Sequence, residues 1–283
     1  MEGPLAGLPG ASTDAGQGPV VRSLLEGLLL AAEPVGRHRQ ALHAWYTDLV
    51  GPLLVHAAGT DTLQEQLEPG DRGLRVALVA DPGPDDPAGL LGLRAARNQL
   101  LDDDRVELTG VHLALPGSTP SDVVVHELLA DLDFTVPAWV ELAPTAGWRQ
   151  AMDAIAADGA ERLAVRLPVD ADGAGRVAEI LRAAVDRDLS LRIPGVGPAP
   201  VPTGGVLAAI GAVRAALNGA EVPEIAAILV ERTTTPLAAA LRRMSDADAA
   251  VARVFLDGVV VGDTREAAAD LAALGLVDVR PDA

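Results

Sequence analysis

Short apolar runs alternate with helix-length segments through the middle of the chain. Six of these runs have the length and content of buried strands: Gly51–Ala57, Leu74–Asp81, Val106–Leu115, Val136–Ala143, Glu161–Val169 and Ser190–Ile193. Helical patterns separate them: Thr60–Leu67, Pro87–Leu101, Asp122–Leu132, Trp148–Ala157 and Ala174–Arg187. Buried strands joined by helical crossovers predict a parallel sheet. With no change of composition along this stretch, the repetition favours one barrel over two domains.

The two ends of the chain do not show this alternation of predicted strands and helices. Val20–Ala32 and Arg37–Asp48 are predicted as helices, and the region after Ile193 is dominated by alanine-rich helical patterns. Phe255–Gly262 offers a last strand or hairpin, and Ile228–Glu231 is a weak candidate for a seventh strand. The predicted fold is a parallel α/β barrel of the TIM type, incomplete or distorted. It has N-terminal helices and a helical insertion before the last strand, and a doubly wound sheet is the alternative.

The sequence predicts one folded domain after a leader. Residues 1–19 are rich in Gly, Pro, Ser and Ala and are predicted to be flexible, whereas residues 20–283 form a single barrel-like domain. The N-terminus has neither the basic nor the apolar region of a signal peptide, and no run reaches about 18 apolar residues. These features predict a cytoplasmic protein without a membrane partner.

Composition and charge exclude several kinds of chemistry. The formal net charge is −18, so a nucleic-acid partner, which needs a basic surface, is not expected. All 22 basic residues are Arg, which excludes a Schiff-base or P-loop lysine. The absence of Cys excludes thiol nucleophiles, disulfides and cysteine-ligated metals. We expect no cofactor, and a homo-oligomer or a protein partner stays open.

Ionisable residues stand at the carboxyl ends of the predicted strands, where barrel active sites collect. They are His56, Asp81, His112, Glu141, Arg166 and Arg192. Glu141, Arg166 and Arg192 lie in otherwise apolar strands, and an unpaired buried charge is costly. The three charges are predicted to satisfy one another, leaving one cation for a small anionic ligand. A structural Glu–Arg network without a ligand is the alternative.

Two further candidates are a proton-transfer group and an anion site. His56 and Glu141 are the candidate catalytic residues. His56 comes at the end of an apolar strand, where it could act as a general acid or base. The alternative is a histidine that makes only structural hydrogen bonds. Thr203, Gly204 and Gly205 precede an apolar helix whose N–H groups could hold an anion, or they form only a cap. No metal-binding spacing occurs, so no metal site is predicted.

The C-terminal block FLDGVVVGDTREAAADLAALGLV (Phe255–Val277) resembles a block in an uncharacterised family of bacterial TIM-barrel-like proteins. The similarity includes Asp270, Leu271 and the Leu274–Leu276 ending, and a weaker similarity covers Ala41–Leu67. The resemblance implies a barrel from about residue 20 onward.

The chain differs from this family at two polar segments. Where the family has paired histidines after a strand, this sequence has Ile193–Pro200, with Arg192 at the family's basic position. A Ser-Cys-Ser segment is replaced by Val259–Val261. The first functional hypothesis is therefore a non-catalytic or weakly catalytic homologue acting through ligand binding or assembly. The second is a barrel enzyme, an isomerase, lyase or hydrolase, acting on a small anionic metabolite.

Overall fold

The computed structural model describes residues 21–82, 89–115, 125–126, 130, 136–157, 162–231 and 233–279. Eight strands run in one direction and close into a barrel in the order β1 to β8. The strands are β1 (Leu29–Ala31), β2 (Val50–His56), β3 (Leu74–Val79), β4 (Val106–Ala114), β5 (Ala138–Glu141), β6 (Arg162–Ala164), β7 (Ser190–Ile193) and β8 (Leu256–Val260). Every neighbouring pair is parallel. The predicted parallel α/β barrel of the TIM type is confirmed, and the barrel is closed rather than incomplete.

Helices surround this barrel among the described residues. They are α1 (Val21–Leu25), α2 (Val35–Leu42), α3 (Thr60–Gln66), α4 (Leu90–Leu101), α5 (Trp148–Ala157), α6 (Ala171–Val185), α7 (Thr203–Leu217), α8 (Val222–Val230), α9 (Thr234–Arg242), α10 (Asp246–Phe255) and α11 (Thr264–Ala273). Short 3₁₀ turns cover Thr47–Leu49 and Ala57–Gly59. The predicted leader, residues 1–19, and most of the predicted helix Asp122–Leu132 lie outside the described residues.

The strand absent from the prediction is β1. The predicted helix Val20–Ala32 was wrong in its second half, because the observed helix ends at Leu25 and Gly27 adopts a φ of +65°. Leu29 packs outward against the helices, whereas Leu30 packs inside the barrel. A three-residue strand that is apolar on both faces has no alternation to distinguish it from a helix.

The seventh strand was also misplaced. Ile228–Glu231, the weak candidate, belongs to the end of α8 and the residue after it. Four helices, α7 to α10, separate β7 from β8, which confirms the predicted helical insertion. Phe255–Gly262 contains a single strand, β8, which pairs with β1 and β7 rather than forming a hairpin.

Two apolar clusters fill the two sides of the sheet. The larger lies between the strands and the helices and includes Leu53, Leu78 and Val140. The smaller consists of Leu30, Leu54 and Ala77, on the alternate strand positions that face the lumen. Arg192 is also buried, and charged residues stand at both ends of the strands, Glu141 at the carboxyl-terminal end of β5 and Arg162 at the amino-terminal end of β6. No helix in the described parts of the chain is long and apolar enough to cross a membrane.

Candidate functional site

A His–Glu–Arg cluster lies at the carboxyl-terminal end of the barrel. Glu141 is the last residue of β5, His112 lies near the end of β4, and Arg166 follows β6 by two residues. His112 Nε2 lies 3.1 Å from Glu141 Oε2, and Arg166 donates from Nε to Oε1 at 2.7 Å and from Nη2 to Oε2 at 3.2 Å. We call these three residues the rim cluster.

Burial sets the charge state of the rim cluster. Burial lowers the pKa of His112, and its contact with Glu141 does not reverse this, so the imidazole is neutral at pH 7. Burial also acts to raise the pKa of Glu141, but hydrogen bonds with His112 and Arg166 outweigh it and hold that pKa below its usual range. Neutral His112 therefore donates its Nε2–H to an ionised Glu141, and the lone pair on Nδ1 is able to accept a proton.

A second His–carboxylate pair lies on the adjacent strands. His56, the last residue of β2, places Nδ1 2.7 Å from Asp81 Oδ1, and the Ala58 N–H donates to Asp81 Oδ2 at 2.8 Å. His56 and His112 both stand opposite Val79 of β3 in the strand register. Two strand spacings place their Cα atoms about 10 Å apart. The structure thus brings His56 and Glu141 to the same end of the barrel.

The segment Ile193–Pro200 holds the Arg166 side chain in place. Arg166 Nη1 donates to the carbonyl of Gly197 at 2.8 Å. A Cβ on Gly195 would lie 2.8 Å from the same Nη1, so a side chain at this position would displace the guanidinium. Val259 and Val261 donate backbone hydrogen bonds to Leu28 and Leu30 and so help to close the barrel.

Arg192 does not belong to the rim cluster, which corrects the predicted network of Glu141, Arg166 and Arg192. Its side chain is 2% exposed inside the lumen, where Nη2 donates to Asp257 Oδ2 at 2.8 Å. Its guanidinium lies over the ring of Trp139 at 3.5 Å from the centroid. Asp257 is the second residue of β8, so this contact directs Arg192 toward the amino-terminal end of the barrel.

The structure places the residues predicted to hold an anion, Thr203, Gly204 and Gly205, beside several carboxylates. These residues begin α7, and the adjoining cavity of about 260 Å³ is lined by three carboxylates, Asp263, Glu266 and Asp270. The Thr203 hydroxyl donates to Asp270 Oδ2 at 2.7 Å. A Cβ on Gly205 would lie 2.7 Å from a methyl group of Val201, so this glycine serves close packing. Negative charge around the helix start disfavours an anion there.

Trp139 and Asp257 are lumen residues that sequence reasoning missed. Trp139 lies within a short apolar strand, and Asp257 lies in the segment predicted as a last strand or a hairpin. The local signals are two strand glycines that leave room for bulky side chains in the lumen, Gly110 for Trp139 and Gly258 for Leu30. A Cβ on Gly110 would collide with the Trp139 ring, and one on Gly258 would lie 2.5 Å from Leu30.

Within the described residues, no group of three or more His, Cys, Asp or Glu side chains could hold a metal ion. The contacts of His112, Glu141 and Arg166 at the carboxyl-terminal end offer acid–base chemistry and hydrogen bonds from a guanidinium. Neither protein-family models nor curated proteins give a match to this chain.

Proposed function

We propose that this protein is a barrel enzyme that moves a proton to or from a small anionic metabolite at the carboxyl-terminal end of its strands. One observation carries the proposal: two histidine–carboxylate pairs, His56–Asp81 and His112–Glu141, lie at the same end of four consecutive strands. Barrel enzymes place their chemistry at this end. The proposal locates the reaction in the cytoplasm, in keeping with a sequence that has no cysteine.

His112 is the base in this proposal. A C–H bond next to a carbonyl breaks, its electron pair moves to the carbonyl oxygen, and the proton goes to Nδ1 of His112. The charge of Glu141, held by Arg166, stabilises the imidazolium that forms, as the carboxylate does in other histidine–carboxylate pairs. His56, whose side chain is largely exposed beside Asp81, returns a proton to the opposite side of the substrate.

Arg166 is the group that contacts the substrate anion. A guanidinium has five N–H donors. Three of those on Arg166 are used, by Glu141 twice and by the Gly197 carbonyl. The two that remain suffice for a two-point contact to a carboxylate, and the side chain is 40% exposed.

Deuterium exchange tests this proposal directly. A panel of small 2-oxo and 2-hydroxy carboxylates is incubated with the protein in D₂O, and loss of the C–H signal is followed by proton NMR. We expect catalysed exchange for at least one compound, reduced by about 10²- to 10⁴-fold in His112→Gln. His43→Gln, at the exposed C-cap of α2, is the matched control and keeps the wild-type rate.

Two results would decide against this proposal. Equal exchange by wild type and His112→Gln would remove His112 from the reaction. Saturable binding of a panel member without any exchange would favour the alternative, a non-catalytic homologue that binds its ligand.

A further inference from the structure

A large polar cavity opens at the amino-terminal end of the barrel, opposite the rim cluster. Its volume is about 730 Å³, within the usual range of small-molecule sites. The walls come from the first residues of several strands, among them Pro52, Arg75, Glu107, Arg162 and Asp257. Arg192 and Trp139 form its inner part, within the lumen.

The unpaired buried polar atoms in these walls are all hydrogen-bond donors. Nε and Nη1 of Arg192 and Nε1 of Trp139 are buried, and each lacks a partner. Buried donors without an acceptor are uncommon because each costs the desolvation of an N–H group. A ligand that satisfies this set must supply acceptor atoms.

The side chains that line the cavity also carry an excess of positive charge, which favours a ligand with negatively charged acceptor atoms. Its lining has four arginines and three carboxylates, in a chain whose net charge is −18. Asp257 faces two of the guanidiniums: Oδ2 accepts from Arg192, and Oδ1 lies 3.8 Å from Arg162. Arg253 donates its hydrogen bonds to the carbonyl oxygens of Glu26 and Leu256, and its charge is attracted by the Glu26 and Asp257 carboxylates, so Asp257 is shared among three guanidiniums.

We propose that this cavity binds a small oxyanion, a carboxylate or a phosphate, with Arg192 and Arg162 as its principal donors. Oxyanions carry several acceptor atoms and negative charge, which suit the unpaired donors and the excess of guanidinium groups over carboxylates in the cavity. A guanidinium can bind a carboxylate or a phosphate through two N–H groups. Both guanidiniums lie over the ring of Trp139, which holds them at the inner wall. This site is separate from the rim cluster and does not depend on the proposed enzyme activity.

Calorimetric titration with inorganic phosphate and with succinate tests the proposal, and the two anions distinguish the phosphate from the carboxylate source. Every titration is compared with sodium chloride at the same ionic strength, because salt alone screens an acidic protein. Two variants remove the proposed donors. Arg192→Met changes a buried side chain and could impair folding, so Arg162→Gln changes the more exposed guanidinium. Arg176→Gln, on the exposed side of α6, removes the same charge away from the cavity.

We expect saturable binding of at least one anion by wild type, with a Kd raised roughly tenfold or more in Arg162→Gln and unchanged in Arg176→Gln. Absence of binding beyond the chloride control would overturn the proposal. It would mean that water molecules accept the hydrogen bonds of the Arg192 and Trp139 N–H groups. Binding that survives Arg162→Gln and is lost in Arg166→Gln would also overturn it, by placing the anion at the rim cluster.

Discussion

The Arg192 guanidinium lies 3.5 Å from the ring centroid of Trp139, in the lumen of the barrel. Trp139 comes from β5 and Arg192 from β7, so the contact crosses the barrel interior past β6. Many barrel lumens are filled by branched apolar side chains. Here an aromatic ring and a cation occupy that space, and Gly110 provides room for the ring.

Gly110→Ala should destabilise the protein, because the added Cβ meets the Trp139 ring and would lie 2.8 Å from the carbonyl oxygen of Pro137. Overpacking of this kind costs about 1–3 kcal/mol, measured as the free energy of unfolding in urea. Gly175→Ala is the matched control. A Cβ there meets nothing within 4 Å inside α6, so the same change should stabilise by about 0.5–1 kcal/mol. Equal effects at both positions would contradict the packing described for Trp139.

Gly27→Ala distinguishes strand β1 from the helix predicted over Val20–Ala32. In a helix the substitution would stabilise the protein, since alanine is the better helix former. The φ of Gly27 is +65°, so alanine should instead cost about 1–2 kcal/mol of unfolding free energy. A stabilised Gly27→Ala protein would mean that α1 continues through this position.

His112→Gln should change how stability depends on pH. The folded-state pKa of His112 lies below the value of 6.5 expected for an unfolded chain. The unfolded state therefore binds the proton more readily, and the stability from neutral His112 is present above pH 6.5 and lost as the pH falls below it. Urea midpoints of His112→Gln should decline less steeply on acidification below pH 6.5 than those of wild type. His43→Gln should follow the wild-type curve, and parallel curves for His112→Gln would contradict a lowered pKa.

Glu141→Ala should be clearly destabilising, because it leaves His112 and Arg166 without their shared acceptor. Arg166 is 40% exposed and recovers part of its hydration, so the expected loss is about 1–3 kcal/mol. Glu179→Ala breaks an exposed ion pair with Arg149 and should cost less than about 1 kcal/mol. Comparable denaturant midpoints for the two variants would show that Glu141 is not a structural part of the rim cluster.

Local sequence patterns are sufficient to predict the class of fold. The runs that contain β2, β3, β4 and β7 are bounded by turn residues, and the helical patterns between them fix a one-directional alternation. A strand that is buried on both faces needs a short continuous run of apolar residues, and such a run can be recognised from the residues of that segment alone. His56, His112 and Glu141 could be assigned to one end of the barrel for the same reason, since each stands near the end of its strand.

Which groups meet, and how the barrel closes, depends on contacts between segments that are distant in the chain. Strand β1 is three residues long, and it becomes a strand because β2 and β8 supply its hydrogen-bond partners on both sides. Arg192 was expected beside Glu141 but pairs with Asp257, 65 residues later in the chain. The stagger of the strands and the length of the arginine side chain set which end of the lumen its charge reaches. These are relations between distant segments, so no local pattern in the sequence encodes them.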